Sequence, residues 1–178
     1  LTCTDVAGTV VPLCLDGGTF SAGTSTVKYT STSATNIISS ATYYNLQLQP
    51  SAAGSPTYTL GTASDQTIYV NNDLTLGDGT NSVTINGATY NPNLQIGRNL
   101  TLNNSSTFTK GDGQITFFGT ETATWTDNNA TKQDMGWVSI GDGSNPKTVN
   151  LGSGVVLTDL TINSNATLNV TDSNYPLT

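Results

Sequence analysis

The chain has 178 residues, a formal charge of −7, only 10 % charged residues and no histidine. Five Lys plus Arg are too few to build a phosphate-binding surface, which argues against nucleic acid and anionic bilayers as partners, and no run of about 18 apolar residues offers a membrane span. Thr, Ser, Asn and Gly make up about half of the chain, yet the apolar residues fall in short alternating runs, the period-two pattern of strands with one buried face.

Residues 1–16 come first and carry both cysteines, Cys3 and Cys14. Their spacing is not that of a CxxC redox motif and no His accompanies them, so a disulfide is the expected pairing, with two small buried thiols as the alternative. A disulfide implies an oxidising setting, and the expected localisation is extracellular, at the cell surface, after removal of a signal peptide. The segment reads as a Cys-clamped N-terminal cap or junction.

From Gly17 onward the chain repeats itself. The stretch 19–37 (TFSAGTSTVKYTSTSATNI) aligns without a gap with 107–125 (TFTKGDGQITFFGTETATW). Further on, 44–48 is answered by 136–140, 56–61 by 146–152, 73–76 by 159–162 and 90–92 by 175–176, in the same order, at offsets of about 85 to 92 residues. This predicts two tandem units, 17–104 and 105–178, the second incomplete at its C-terminal end.

Within the units a smaller element recurs: Asn or Asp, then Leu, a polar residue, and Leu or Ile. Copies start at Asn45, Asp73, Asn93, Asn99 and Asp159, mostly about 20 to 30 residues apart, the length of one coil of a β-solenoid. The apolar pair is expected to face inward, with the Asn or Asp supplying a left-handed corner before the strand. Spacing persists while outward residues drift, because stacked coils need their inward positions in register. The prediction is an all-β solenoid, with a β-sandwich as the alternative, and no segment carries a helical stripe.

Gly-Asp-Gly at 77–79, 111–113 and 141–143 reads as a tight corner using Gly for positive φ; one carboxylate per turn is too few for calcium, and no metal or cofactor is expected. The six sequons, at Asn99, Asn103, Asn104, Asn129, Asn165 and Asn169, are no more than this Asn-, Ser- and Thr-rich composition produces by chance. Glu121, Asp127, Asp134 and Lys132 lie in one stretch and Arg98 is the single arginine; they read as solvated loop charges, and without histidine no enzyme is expected. Tyr43 and Tyr44 are adjacent, so one of them is expected outside. They, and Trp137 beside the irregular 127–135 loop with Trp125 on its other side, are the candidate ligand contacts.

The runs Gly18–Val27, Thr42–Leu46, Asp73–Thr80 and Gly141–Val149 resemble the Thr/Asn/Gly-rich repeats of large bacterial surface proteins, filamentous-haemagglutinin-like and autotransporter-like. The resemblance implies a right-handed parallel β-helix, exported and used as stalk, fibre or adhesin, and carries over no ligand residues. The expected function is a structural subunit or segment of an extracellular filament that self-associates head to tail with copies of itself through exposed β-edges. The alternative is an adhesin module that binds glycans.

Overall fold

Runs such as Leu74-Thr75-Leu76 and Val83-Thr84-Ile85 put apolar side chains on one face only, and strands of this kind need a common interior. The computed structural model, which describes residues 3–4, 9–11, 13, 15, 18–32, 35–170 and 175–178, provides it by winding the chain into a parallel β-solenoid of about six turns. Three sheets wall the interior. The first holds Cys3–Thr4, Thr9–Val11, Thr35–Ile38, Thr57–Leu60, Val83–Asn86 and Ser106–Thr109. The second holds Thr42–Tyr43, Thr67–Val70, Asn93–Ile96, Gln114–Phe117, Trp137–Ile140 and Asp159–Ile162. The third holds Thr26–Tyr29, Asn45–Leu48, Leu74–Leu76, Leu100–Leu102, Ala123–Asp127, Lys147–Leu151 and Ala166–Asn169.

Among the described strands every pairing is parallel except that of Cys3–Thr4 with Thr9–Val11. A β-sandwich pairs its strands antiparallel through hairpins and Greek keys, so that alternative is set aside. The coils are uneven. In the third sheet Val27, Leu46, Leu74, Leu100, Trp125 and Leu151 stack in register, spaced 19, 28, 26, 25 and 26 positions apart. Extra residues leave as loops at corners, and the inward column is preserved because a slip of one residue would turn each buried side chain outward.

The core is a continuous cluster from Tyr29 to Val155. Complete burial of each Leu or Ile contributes about 1.5–3 kcal/mol. At the N-terminal end Tyr29, Tyr43 and Tyr58 fill the interior. The Tyr29 and Tyr43 hydroxyls lie 3.2 Å apart, Tyr43 donates to Ser39 O, and Tyr58 donates to Tyr29 O and Ser31 O. Burial pushes the phenol pKa of Tyr29 and Tyr43 up, and that of Tyr58 to about 12. Phe20 packs on Tyr43 at 5.8 Å between ring centroids. Among the described residues no buried side-chain nitrogen or oxygen lacks a partner.

The repeat seen in the sequence has a geometric twist. Thr26–Tyr29 lies in the third sheet and its counterpart Gln114–Phe117 in the second; Thr57–Leu60 lies in the first and Lys147–Leu151 in the third; Leu74–Leu76 lies in the third and Asp159–Ile162 in the second. In these three pairs both segments are strands, but each is displaced by one face. Cys14 and the side chain of Cys3 lie outside the described residues, and so does their expected disulfide.

Candidate functional site

The recurrent Asn or Asp before each inward Leu builds a ladder along one corner. Asn45 Nδ2 donates to Thr26 Oγ1 (3.2 Å). Asn45 Oδ1 accepts from Asp73 N (3.2 Å) and Asn72 Nδ2 (2.8 Å), Asp73 Oδ1 from Asn99 N (3.3 Å), and Asn99 Oδ1 from Thr124 N (2.9 Å). Farther up, Asn169 Nδ2 donates to Asn150 Oδ1 at 3.0 Å. Asn93 uses the same device on the second sheet, accepting from Gln114 N at 2.9 Å. None of the residues Asn45, Asp73, Asn93, Asn99 or Asp159 has positive φ; among the described non-glycine residues that conformation falls at Ser55, Asp65, Asn91, Ser105 and Asn165. The expected left-handed corner is therefore corrected: the side chains of Asn45, Asp73, Asn93 and Asn99 each satisfy a backbone donor one coil on, which a corner otherwise leaves unpaired.

The Gly-Asp-Gly motifs divide. Gly77, Gly79, Gly141 and Gly143 all have positive φ. The Asp78 carboxylate accepts from Thr80 N, Asn81 N and Asn81 Nδ2, and that of Asp142 from Ser144 N, Asn145 N and Asn145 Nδ2. Slight burial raises the Asp78 pKa, but these bonds outweigh it; for Asp142 the bonds dominate, and both carboxyls sit below their usual range. The third motif is different. Gly111 and Gly113 lack positive φ, and a Cβ on Gly113 would lie 2.1 Å from Pro92 O, so close backbone approach between coils dictates that glycine.

Among the described residues the first sheet has no strand after Ser106–Thr109; residues 128–136 occupy its place as a loop, and isolated parallel bridges join Asp134 to Val156 and Val155 to Leu177. Asp127 organises it. This residue takes the inward position stacked on Leu102 and is fully buried, with Oδ1 accepting from Asn129 N and Nδ2 and Oδ2 from Gln133 N. Lys132 Nζ closes the loop on Asp127 O and Asn129 O. Asp134 pairs with Lys110, which also donates to Thr158 Oγ1. Burial raises the Asp134 pKa, but Lys110 and the Gly136 N–H outweigh that and hold the carboxyl low. Only part of the stretch is therefore solvated charge: Asp127 is an internal support.

Lys147 also escapes a sequence reading. It is buried at the start of a third-sheet strand, and its Nζ donates to Gly97 O (2.5 Å) and Glu121 O (2.7 Å), carbonyls of two earlier coils. Burial pulls its pKa down to about 8, against the attraction of Glu121 and Asp142.

The aromatic candidates separate. Tyr43, in register with inward Val70, is buried in the core and presents no face to a ligand; Tyr44 is half-buried. Trp125 is buried against Phe117, with centroids 5.9 Å apart. Trp137 is 50 % exposed on the outside of the second sheet, and so is Tyr69 at 43 %, a residue that sequence reasoning passed over. Its signal was the alternation Ile68-Tyr69-Val70, which turns the ring outward between two buried residues. A shallow groove between the first sheet and the 128–133 loop is lined by Ser82, Thr84, Ser105, Thr107, Thr131 and Gln133, without an aromatic ring or a charge among them.

These features define a parallel β-solenoid with a hydrogen-bonded corner ladder, a continuous apolar core and two lateral aromatic rings. No family model, curated protein or solved structure matches the chain.

Proposed function

We propose that the protein is a structural subunit or segment of an extracellular cell-surface filament and associates head to tail through exposed β-edges. One observation carries the proposal. Ile140 and Ile162 are register partners in the second sheet, yet Ile140 is 0 % and Ile162 49 % exposed. The inward column thus emerges into solvent at the last coil, where Asp159–Ile162 and Ala166–Asn169 each have one strand neighbour among the described residues.

At the opposite end the strands with a single neighbour among the described residues, Thr42–Tyr43 and Thr26–Tyr29, belong to the same second and third sheets, while the first sheet ends there in the antiparallel pair of Cys3–Thr4 and Thr9–Val11. Matching edges favour a parallel stack of copies, second sheet on second and third on third. Unpaired strand edges over an open core are a template for another chain. The low Lys and Arg content, which leaves few tryptic sites, suits an exposed fibre.

Electron microscopy of the concentrated protein tests this. Fibres whose axial repeat equals one solenoid, lost in Ile162→Lys, are expected. Isolated rods at every concentration, with the wild type and Ile162→Lys alike, would set the proposal aside.

A further inference from the structure

Five large hydrophobic residues are exposed among the described ones; Ile162, Val170 and Leu177 belong to the last coil, and the other two, Trp137 and Tyr69, are aromatic and share the outer face of the second sheet. The ladder neighbours of both rings are polar. Trp137 is stacked in register between Gln114 and Asp159, both exposed. Tyr69 stacks on Gln95 and meets Phe118 edge-on, at 6.3 Å and 90°. The Tyr69 column runs through Gln95 and Thr116 to Ser139, so Tyr69 lies three rungs from the coil of Trp137, about 14 Å along the axis at 4.7–4.9 Å per rung.

We infer that this face binds a neutral polysaccharide laid along the solenoid axis, with Trp137 as the main stacking platform, Gln114 and Asp159 hydrogen-bonding the ring hydroxyls beside it, and Tyr69 as a second platform. The physical fit is one of alternation. A pyranose has an apolar C–H face and a rim of hydroxyls, and it needs an isolated aromatic face flanked by amide or carboxylate groups one rung away. A protein partner would need a continuous apolar centre, which in-register Gln114 and Asp159 interrupt. An anionic glycan would meet Asp159 and a chain of charge −7 with five cations in all. The inference sharpens the adhesin alternative raised by the sequence and relocates it from Tyr43 and Tyr44. It does not depend on end-to-end stacking, which leaves the lateral faces open.

Affinity electrophoresis of the purified chain tests it, in gels holding hydroxyethyl cellulose, galactomannan, soluble starch or, as the anionic comparison, polygalacturonate. Retardation by at least one neutral polymer is expected. It should weaken at least tenfold in Trp137→Ala, severalfold in Gln114→Ala, and not at all in Tyr44→Ala. Trp137 is half in solvent, so its truncation leaves the core intact, and circular dichroism verifies this. Binding should also perturb the fluorescence of Trp137 and leave that of buried Trp125 unchanged in the Trp137→Phe variant. The inference is overturned by migration unaffected by every neutral polymer, by retardation that survives Trp137→Ala, or by retardation in polygalacturonate alone. Because the readout is lateral binding by dispersed chains, it is separate from whether fibres form.

Discussion

Asn99 Oδ1 accepts the backbone N–H of Thr124, 25 positions later and one coil up, at 2.9 Å. This bond ties neighbouring coils at a corner where the strand ladder is interrupted. Asn99→Ala leaves that donor without its acceptor and is expected to cost about 1–3 kcal/mol. Urea denaturation checks it: the midpoint falls while the m-value holds.

Ile140 and Ile162 offer an internal comparison. Ile140→Ala opens a cavity in a sealed core and should cost about 2–5 kcal/mol, whereas Ile162→Ala, at a half-exposed site, should cost less than about 1 kcal/mol in dispersed chains. If fibres form, the second change becomes the more damaging to assembly, as light scattering would record.

Lys147 makes stability depend on pH in an unusual direction. Its folded pKa, about 8, lies below the ordinary 10.5. Below pH 8 both states are protonated; between about 8 and 10 the unfolded chain holds the proton that the folded one has released, so stability rises with pH, on the order of 1–2 kcal/mol. The buried tyrosines act oppositely. With folded pKa values above 10, they favour the unfolded state once pH exceeds about 10. Thermal denaturation from pH 7 to 11 should show a maximum near the crossover, and Lys147→Met should remove the rising limb.

Gly113 and Gly143 test two uses of one motif. Gly113→Ala forces a Cβ against Pro92 O and should destabilise markedly. Gly143→Ala, with φ +79 and its nearest heavy atom 4.0 Å away, meets only backbone strain of about 1–2 kcal/mol. Paired melting curves decide it: equal losses would mean that the coils separate to admit the Gly113 methyl.

The two tryptophans report separately on core and surface. Acrylamide should quench Trp137 strongly and Trp125 hardly at all, so Trp137→Phe is expected to leave a blue-shifted, poorly quenched emission. A red-shifted residual spectrum would show that Trp125 is not sealed.

Much of this was legible in the chain itself. The Asn/Asp-Leu-polar-Leu element at Asn45, Asp73 and Asn99 marks strands that do stack in register, and alternation separates buried Ile68 and Val70 from exposed Tyr69. Three readings failed for definable reasons. Tyr43 looked available because short strands give no sign of which neighbour turns in, and the corner Asn residues looked like backbone devices because their acceptors serve donors about 25 positions away. Asp127 looked like a solvated loop charge because the donors that bury it, Asn129 and Gln133, reach it only once the loop folds back; Lys147 could not be placed at all, since its partners come from two earlier coils.

By itself the sequence determined period and polarity: coils of about 20 to 30 residues, inward apolar pairs, polar corners and a chain with only five Lys plus Arg. The tertiary structure alone decided which faces align. The repeated segments, about 88 residues apart, do not span a whole number of coils, so equivalent strands occupy different sheets. Strand identity follows from local alternation, but the face a strand joins depends on the summed length of every intervening loop, a quantity fixed only when the coils close on a common core.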